Sequence, residues 1–191
     1  MNISLLGNCQ AKALVWYLSQ LNEQFDVKYI SIEVFRNVFG GDQNFRGKPT
    51  PSITNTQEAV ERLQNSNFII YQNIEEDTSK NFNFKKIREY SSVAKLISFS
   101  SMVYDPKDPH KFYQKEMAYR DKKFNVDITA NQIIEKHGNK VKVQKKGTKK
   151  PNHPCSFYFL ELVREICIKA KWEYYTDEQY NFYYKERYPF I

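Results

Sequence analysis

The sequence predicts an α/β protein with a mainly parallel sheet covered by helices on both faces. Short runs of β-branched and aromatic residues keep alternating with segments of helical apolar spacing, which is the pattern of βαβ units. Gly7 closes the first apolar run just before a helical period begins, as a tight strand-to-helix turn requires. The chain has 191 residues, 41% of them hydrophobic and 16% aromatic, enough to build a core. These values favour one domain, 1–191, with loop excursions near 40–52 and 104–126.

In chain order, Asn2 to Leu6 reads as a strand, and Ala13, Leu14, Tyr17, Leu18 and Leu21 recur at helical spacing. Phe25 to Val34 alternates and closes the first βαβ unit. Residues 40–52 hold three of the six glycines and two prolines, which predicts a surface loop of the kind that often carries function. A helix is expected from about Thr56 to Gln64, a buried strand from Phe68 to Tyr71, a short helix from Phe84 to Tyr90 and a strand from Lys95 to Phe99. The segment 104–126, with Pro106, Pro109 and many charges, reads as an excursion, followed by a helix from Asp127 to His137. The last clear helix is expected to open at Pro154, which suits a first helical position, and to bury Phe157, Leu160, Val163, Ile166, Cys167 and Ala170. After Tyr175 the tail carries Tyr180, Phe182, Tyr183, Tyr184, Tyr188 and Phe190, which suits packing across the core or against a second subunit in a homo-oligomer.

Lys and Arg number 29 against 22 acidic residues, a net charge of +7 that favours an anionic partner: nucleic acid, a phosphate-bearing cofactor or a membrane surface. No stretch reaches the roughly 18 apolar residues of a spanning helix, and the start lacks a basic leader, so a cytoplasmic location is expected. Cys9, Cys155 and Cys167 are odd in number and widely spaced, which predicts reduced thiols.

Cys9 lies three residues past a strand at the mouth of a helix, with Gly7 permitting the turn and Asn8 suited to capping. A thiol there feels the positive end of the helix dipole, which favours the thiolate, and backbone N–H groups of the turn suit an oxyanion. The alternative is a small buried cysteine under the sheet. His153, just before Pro154, is expected to cap the last helix and present a neutral imidazole as general base, or else to be a surface histidine in a lysine-rich loop. Cys155 occupies a similar helix-opening position and is a rival thiol. His110 and His137 read as structural, the latter at a helix end before Gly138. A zinc site from Cys9, His153 and Cys155 lacks paired-cysteine spacing, so no metal site is expected. Lys140, Lys142, Lys145, Lys146, Lys149 and Lys150 form a basic run that is either a solvated loop or a phosphate clamp; it lacks the interleaved aromatics of a nucleic-acid surface.

Three motifs in order, Gly7-Asn8-Cys9-Gln10, Tyr71-Gln72-Asn73-Ile74 and Asn152-His153-Pro154, resemble those of the WcbI-type polysaccharide biosynthesis proteins, coenzyme A-binding acetyltransferases of capsule synthesis. The order of parts is also similar to the SGNH hydrolases, with cysteine standing where those enzymes carry serine. Lys150 occupies the place of the acid that usually lies three residues before the histidine. The resemblance implies a three-layer SGNH/flavodoxin-like fold that binds coenzyme A or acetyl-coenzyme A. It makes Cys9 the nucleophile or the group contacting the thioester, His153 the base, and Gln72 with the Cys9 backbone the oxyanion donors. Gly7, Asn8, Gln10 and Asn152 then shape the cofactor site, and Lys145, Lys146, Lys149 and Lys150 take its phosphates. The implied reaction is acyl transfer from acyl-coenzyme A to a sugar or glycan hydroxyl. Its rivals are a thioesterase or acetyl esterase of the same architecture and a non-enzymatic basic nucleic-acid-binding domain, which leaves Cys9 and His153 unexplained.

Overall fold

The computed structural model describes residues 1–31, 44–45, 48–49, 52–53, 55–72, 84–141 and 154–185. The chain divides into two compact units, Met1–Ser98 and Phe99–Ile191.

The first unit is built on a five-stranded sheet in the order β5-β2-β1-β6-β7. Its strands are β1 (Asn2–Gly7), β2 (Asp26–Ser31), β5 (Ser52–Ile53), β6 (Phe68–Gln72) and β7 (Lys95–Phe99), the last ending at the unit boundary. β1 runs parallel to both β2 and β6, and β2 runs parallel to β5. Parallel neighbours require crossovers, and the helices supply them: α1 (Cys9–Ser19) between β1 and β2, α2 (Thr56–Gln64) before β6, and α3 (Phe84–Tyr90) before β7. The expected helices at 56–64 and 84–90 and the expected strand at 95–99 coincide with these elements, and β6 runs one residue beyond the expected Tyr71.

Burial follows the period-2 rule. Leu6, Ile30, Ile53 and Ile69 point to one face, where α2 contributes Ala59 and Leu63 and α3 contributes Ile87. Ile3 and Leu5 alternate to the other side of β1, and both are wholly buried. α1 packs against β1 and β2 and buries Leu14, Tyr17 and Leu18. Two caps mark the helix starts: Asn8 accepts from the Gln10 N–H at the head of α1, and Asn55 accepts from the Glu58 N–H at the head of α2, both at 2.8 Å. Arg62 of α2 reaches Asp26 and the Ile3 carbonyl. Partial burial works to raise the Asp26 carboxyl, but the Arg62 guanidinium, helped by Lys28, holds it below the ordinary carboxylate range.

The stretch read as a loop over 40–52 contains more structure than expected. An antiparallel pair, β3 (Asn44–Phe45) with β4 (Lys48–Pro49), lies inside it, and Ser52 already belongs to the edge strand β5. Pro49 is tolerated because a two-residue ribbon has open edges. The remainder of 40–52 lies outside the described residues, as do residues 32–34 of the second strand's expected span.

In the second unit the excursion at 104–126 is ordered. β8 (Tyr104–Asp105) and β9 (Asp108–Phe112) form a hairpin, and α4 (Gln114–Phe124) follows, ending at Asn125 in the left-handed region. The prolines that argued against structure sit at the turn and in a two-stranded ribbon, where a missing N–H costs little. α5 (Ala130–His137) starts three residues later than expected because Thr129 and Gln132 form a capping box. α6 (Ser156–Ala170) also starts later: its N-cap is Cys155, so Pro154 precedes the helix and His153 is not its cap. The expected buried stripe of α6 holds, but every residue from Ser156 to Val163 is buried, including Glu161. α6 closes at Lys171, in the left-handed region, with the Trp172 N–H returning to the Cys167 carbonyl at 2.9 Å.

The aromatic tail forms α7 (Asp177–Lys185), which the sequence reading missed, and none of its residues is buried. The expectation that these rings pack across the core is therefore corrected for Tyr180, Phe182, Tyr183 and Tyr184; Tyr188 and Phe190 lie outside the described residues. Among the described residues no helix is long and apolar enough to cross a membrane.

Candidate functional site

The order of strands reverses at β1: β2 and β5 lie to one side, β6 and β7 to the other. Loops leaving adjacent strands at such a reversal diverge and open a crevice beyond their carboxyl ends. Gly7-Asn8-Cys9-Gln10 lies there, and the register that sets Leu6 against Tyr71 brings Gln72 beside Gly7.

Gln72 is 1% exposed and closes the turn from the neighbouring strand. Its Oε1 accepts the Asn8 N–H at 3.0 Å, and its Nε2 donates to Gln10 Oε1 at 3.1 Å. From the other side, Tyr29 Oη donates to the Gly7 carbonyl at 3.0 Å. Gly7 has a φ of +155°, and a Cβ added to it would meet Ala11 Cβ and Gln72 Oε1, each at 2.7 Å. Only glycine allows the strand to turn this close to Gln72.

The Gln72 Oε1 and one N–H of its Nε2 are engaged within the turn, so the side chain staples it. The Asn8 and Gln10 N–H groups are likewise taken, by Gln72 and by Asn8 Oδ1. The Cys9 N–H, at the first turn of α1, lies close to its own thiol. Leucine at position 72 keeps the volume but removes the acceptor of the Asn8 N–H and the donor to Gln10 Oε1. Gln72→Leu is expected to cost about 1–3 kcal/mol in a denaturant titration.

Cys9 and Asn8 are exposed to solvent. The expectation of an acidified Cys9 thiol is corrected: desolvation by the surrounding protein pushes it above the ordinary thiol range, outweighing the Cys9 and Gln10 N–H groups and the Lys12 charge. Cys167 is buried, and burial pushes its thiol up to about 12. Cys155 is half-buried and its Sγ donates to the Lys140 carbonyl at 3.5 Å. Under native conditions iodoacetamide should therefore label Cys9 ahead of Cys155 and Cys167. Because the Cys9 pKa is raised, its thiolate fraction at neutral pH is below that of free cysteine, and its rate should climb about tenfold per pH unit until that pKa is passed. A rate already level at pH 7 would contradict this order of effects.

His153, Asn152, Asn73 and Lys145, Lys146, Lys149 and Lys150 lie outside the described residues. Among the described residues no three His, Cys, Asp or Glu side chains are grouped to hold a metal.

Sequence reasoning passed over one constellation in the second unit. Glu161 is 2% exposed, and its Oε2 lies 3.0 Å from His137 Nε2 and 3.7 Å from Arg164 Nη1. Tyr180 Oη donates to its Oε1 at 3.4 Å. The available signal was a glutamate inside the apolar run Phe157 to Val163, where a buried charge needs partners. Comparison with protein-family models, curated proteins and solved structures finds no match to this chain.

Proposed function

We propose that the chain is a coenzyme A-dependent O-acyltransferase of the cytoplasm, built as a three-layer SGNH/flavodoxin-like fold and related to the WcbI-type proteins. It moves an acyl group, acetyl in the simplest case, from the thioester to a sugar hydroxyl in the synthesis of a surface polysaccharide or glycan. The observation that carries this reading is the stapled Gly7-Asn8-Cys9-Gln10 turn, which holds an exposed thiol at a helix start beyond the central parallel strand.

The raised Cys9 thiol favours direct transfer over an acyl-enzyme, since a resting thiol is a poor nucleophile. In the direct route His153 takes the proton of the sugar hydroxyl and the hydroxyl oxygen attacks the thioester carbonyl. The Cys9 N–H steadies the oxyanion, and collapse breaks the C–S bond to release coenzyme A, whose sulfur takes up the proton. Lys145, Lys146, Lys149 and Lys150 neutralise the cofactor's phosphates, and Asn152 contributes to the cofactor site. Cys9 contacts the thioester and shapes its pocket.

The exposure of Asn8 and Cys9 favours a second reading, hydrolysis of the same thioester by water. Incubation with acetyl-coenzyme A and a panel of sugars separates the two. Transfer predicts thiol release that depends on acceptor and an acetylated sugar in the mass spectrum; hydrolysis predicts acceptor-independent release of acetate. Absence of thiol release under both conditions would refute both.

A further inference from the structure

We propose that α7 is a strap that opens as a unit over the pair His137 and Glu161, latched by Arg164 and Tyr180. The helix carries its own cap: Thr176 and Gln179 are bonded reciprocally, with the Gln179 N–H on Thr176 Oγ1 at 3.3 Å and the Thr176 N–H on Gln179 Oε1 at 3.0 Å. Asp177 and Glu178 open it and Lys185 closes it, in keeping with the helix dipole. Its docking is of another kind. It buries no residue of its own, so the apolar term that fastens the other helices is small here.

What holds α7 is polar and aromatic. Tyr180 donates to Glu161, and the Arg164 guanidinium lies over the Tyr180 ring at 5.5 Å and the Tyr174 ring at 4.8 Å. Tyr184 stacks on Tyr180 and meets Phe157 edge-on at 6.2 Å. Tyr183 lies 4.9 Å from Tyr175, which precedes the helix. Arg164 is thus shared between two roles, countering the Glu161 charge and gripping the strap.

Beneath α7 lies the imidazole–carboxylate pair. Phe157 touches both Tyr184 and the His137 ring, the latter edge-on at 5.1 Å, and Glu161 touches both Tyr180 and His137. Lifting α7 removes one layer from each of the two residues against which His137 rests. The buried carboxylate fixes the ring through Nε2, the arrangement in which a histidine keeps its other nitrogen for proton exchange. Elements fastened by few buried apolar contacts open locally, well below the free energy of global unfolding.

Hydrogen exchange followed by mass spectrometry tests this on the full chain. In the wild type, amides of 177–185 should exchange at least tenfold faster than those of 156–170. Arg164→Gln should speed α7 exchange a further tenfold and quicken carbethoxylation of His137 by diethylpyrocarbonate, with α6 exchange unchanged. Tyr180→Phe, which removes only the hydroxyl on Glu161, should move both readouts the same way by a smaller factor and serves if Arg164→Gln does not fold. Equal exchange of α7 and α6 in the wild type would overturn the strap. Variants that leave α7 exchange unchanged would overturn the latch, and faster α7 exchange without faster labelling of His137 would overturn the claim that the strap covers the pair.

Discussion

Replacing His153 by alanine should abolish acyl transfer while leaving the thermal midpoint nearly unchanged. A general base contributes about 10²–10⁴-fold, and its loss is read in the rate rather than in the fold. Cys9→Ser should behave differently. In the direct route the base, the oxyanion donor and the alignment of the two substrates do the chemistry, so the serine variant should keep its rate within about tenfold. Steady-state kinetics of both variants, with mass spectrometry of the wild type after exposure to acetyl-coenzyme A, makes the check. An acetyl adduct on Cys9 that turns over with acceptor would replace the direct route by a covalent one, and an active His153→Ala would remove the base from the mechanism.

The second large effect is structural. Gly7→Ala places a methyl group 2.7 Å from both Ala11 Cβ and Gln72 Oε1 and forces a φ that side chains rarely adopt. Overpacking and backbone strain together are expected to cost about 2–4 kcal/mol. The loss should also reach the site, because Gln72 must yield, and with it the hydrogen bonds to Asn8 and Gln10. Urea denaturation measures the first consequence. Faster exchange of the Asn8 and Gln10 amides at a denaturant-free equilibrium measures the second. Gly7→Ala with wild-type stability would contradict the close approach of the turn to Gln72.

Much of the first unit was legible because its signals are local. Helix α2 falls at the expected Thr56 to Gln64, and Gly7 could be read as a turn because it interrupts an apolar run ahead of a helical period. The helix at 114–124 and the hairpin before it were obscured by Pro106 and Pro109, whose cost depends on whether the strand has a neighbour on the proline's side. The start of α6 was placed at Pro154 on a position preference, but the observed cap is Cys155. α7 was hidden because aromatic content alone does not distinguish a buried strip from a helix lying on the surface.

At the site, the composition of the turn was visible and its bonding was not. Gln72 entered through the resemblance as an oxyanion donor, but its bonds to Asn8 and Gln10 within the turn depend on the register between β1 and β6. The direction of the Cys9 shift was misread for a similar reason. Proximity to a helix start can be read from order alone, whereas the desolvation that outweighs it depends on what surrounds the sulfur in space. Glu161 needed the fold to reveal its partners, since His137, Arg164 and Tyr180 come from three different helices.

The proposed action on coenzyme A thioesters can be checked by a thermal-shift titration of the wild-type protein with coenzyme A and acetyl-coenzyme A. A ligand bound only by the folded state stabilises it by about 2.7 kcal/mol at one hundred times its dissociation constant, so the midpoint should climb steadily with cofactor concentration. The climb should shrink as salt is raised, because phosphate contacts to lysine are screened. A midpoint that stays flat up to millimolar concentrations of both compounds at low salt would contradict the assignment.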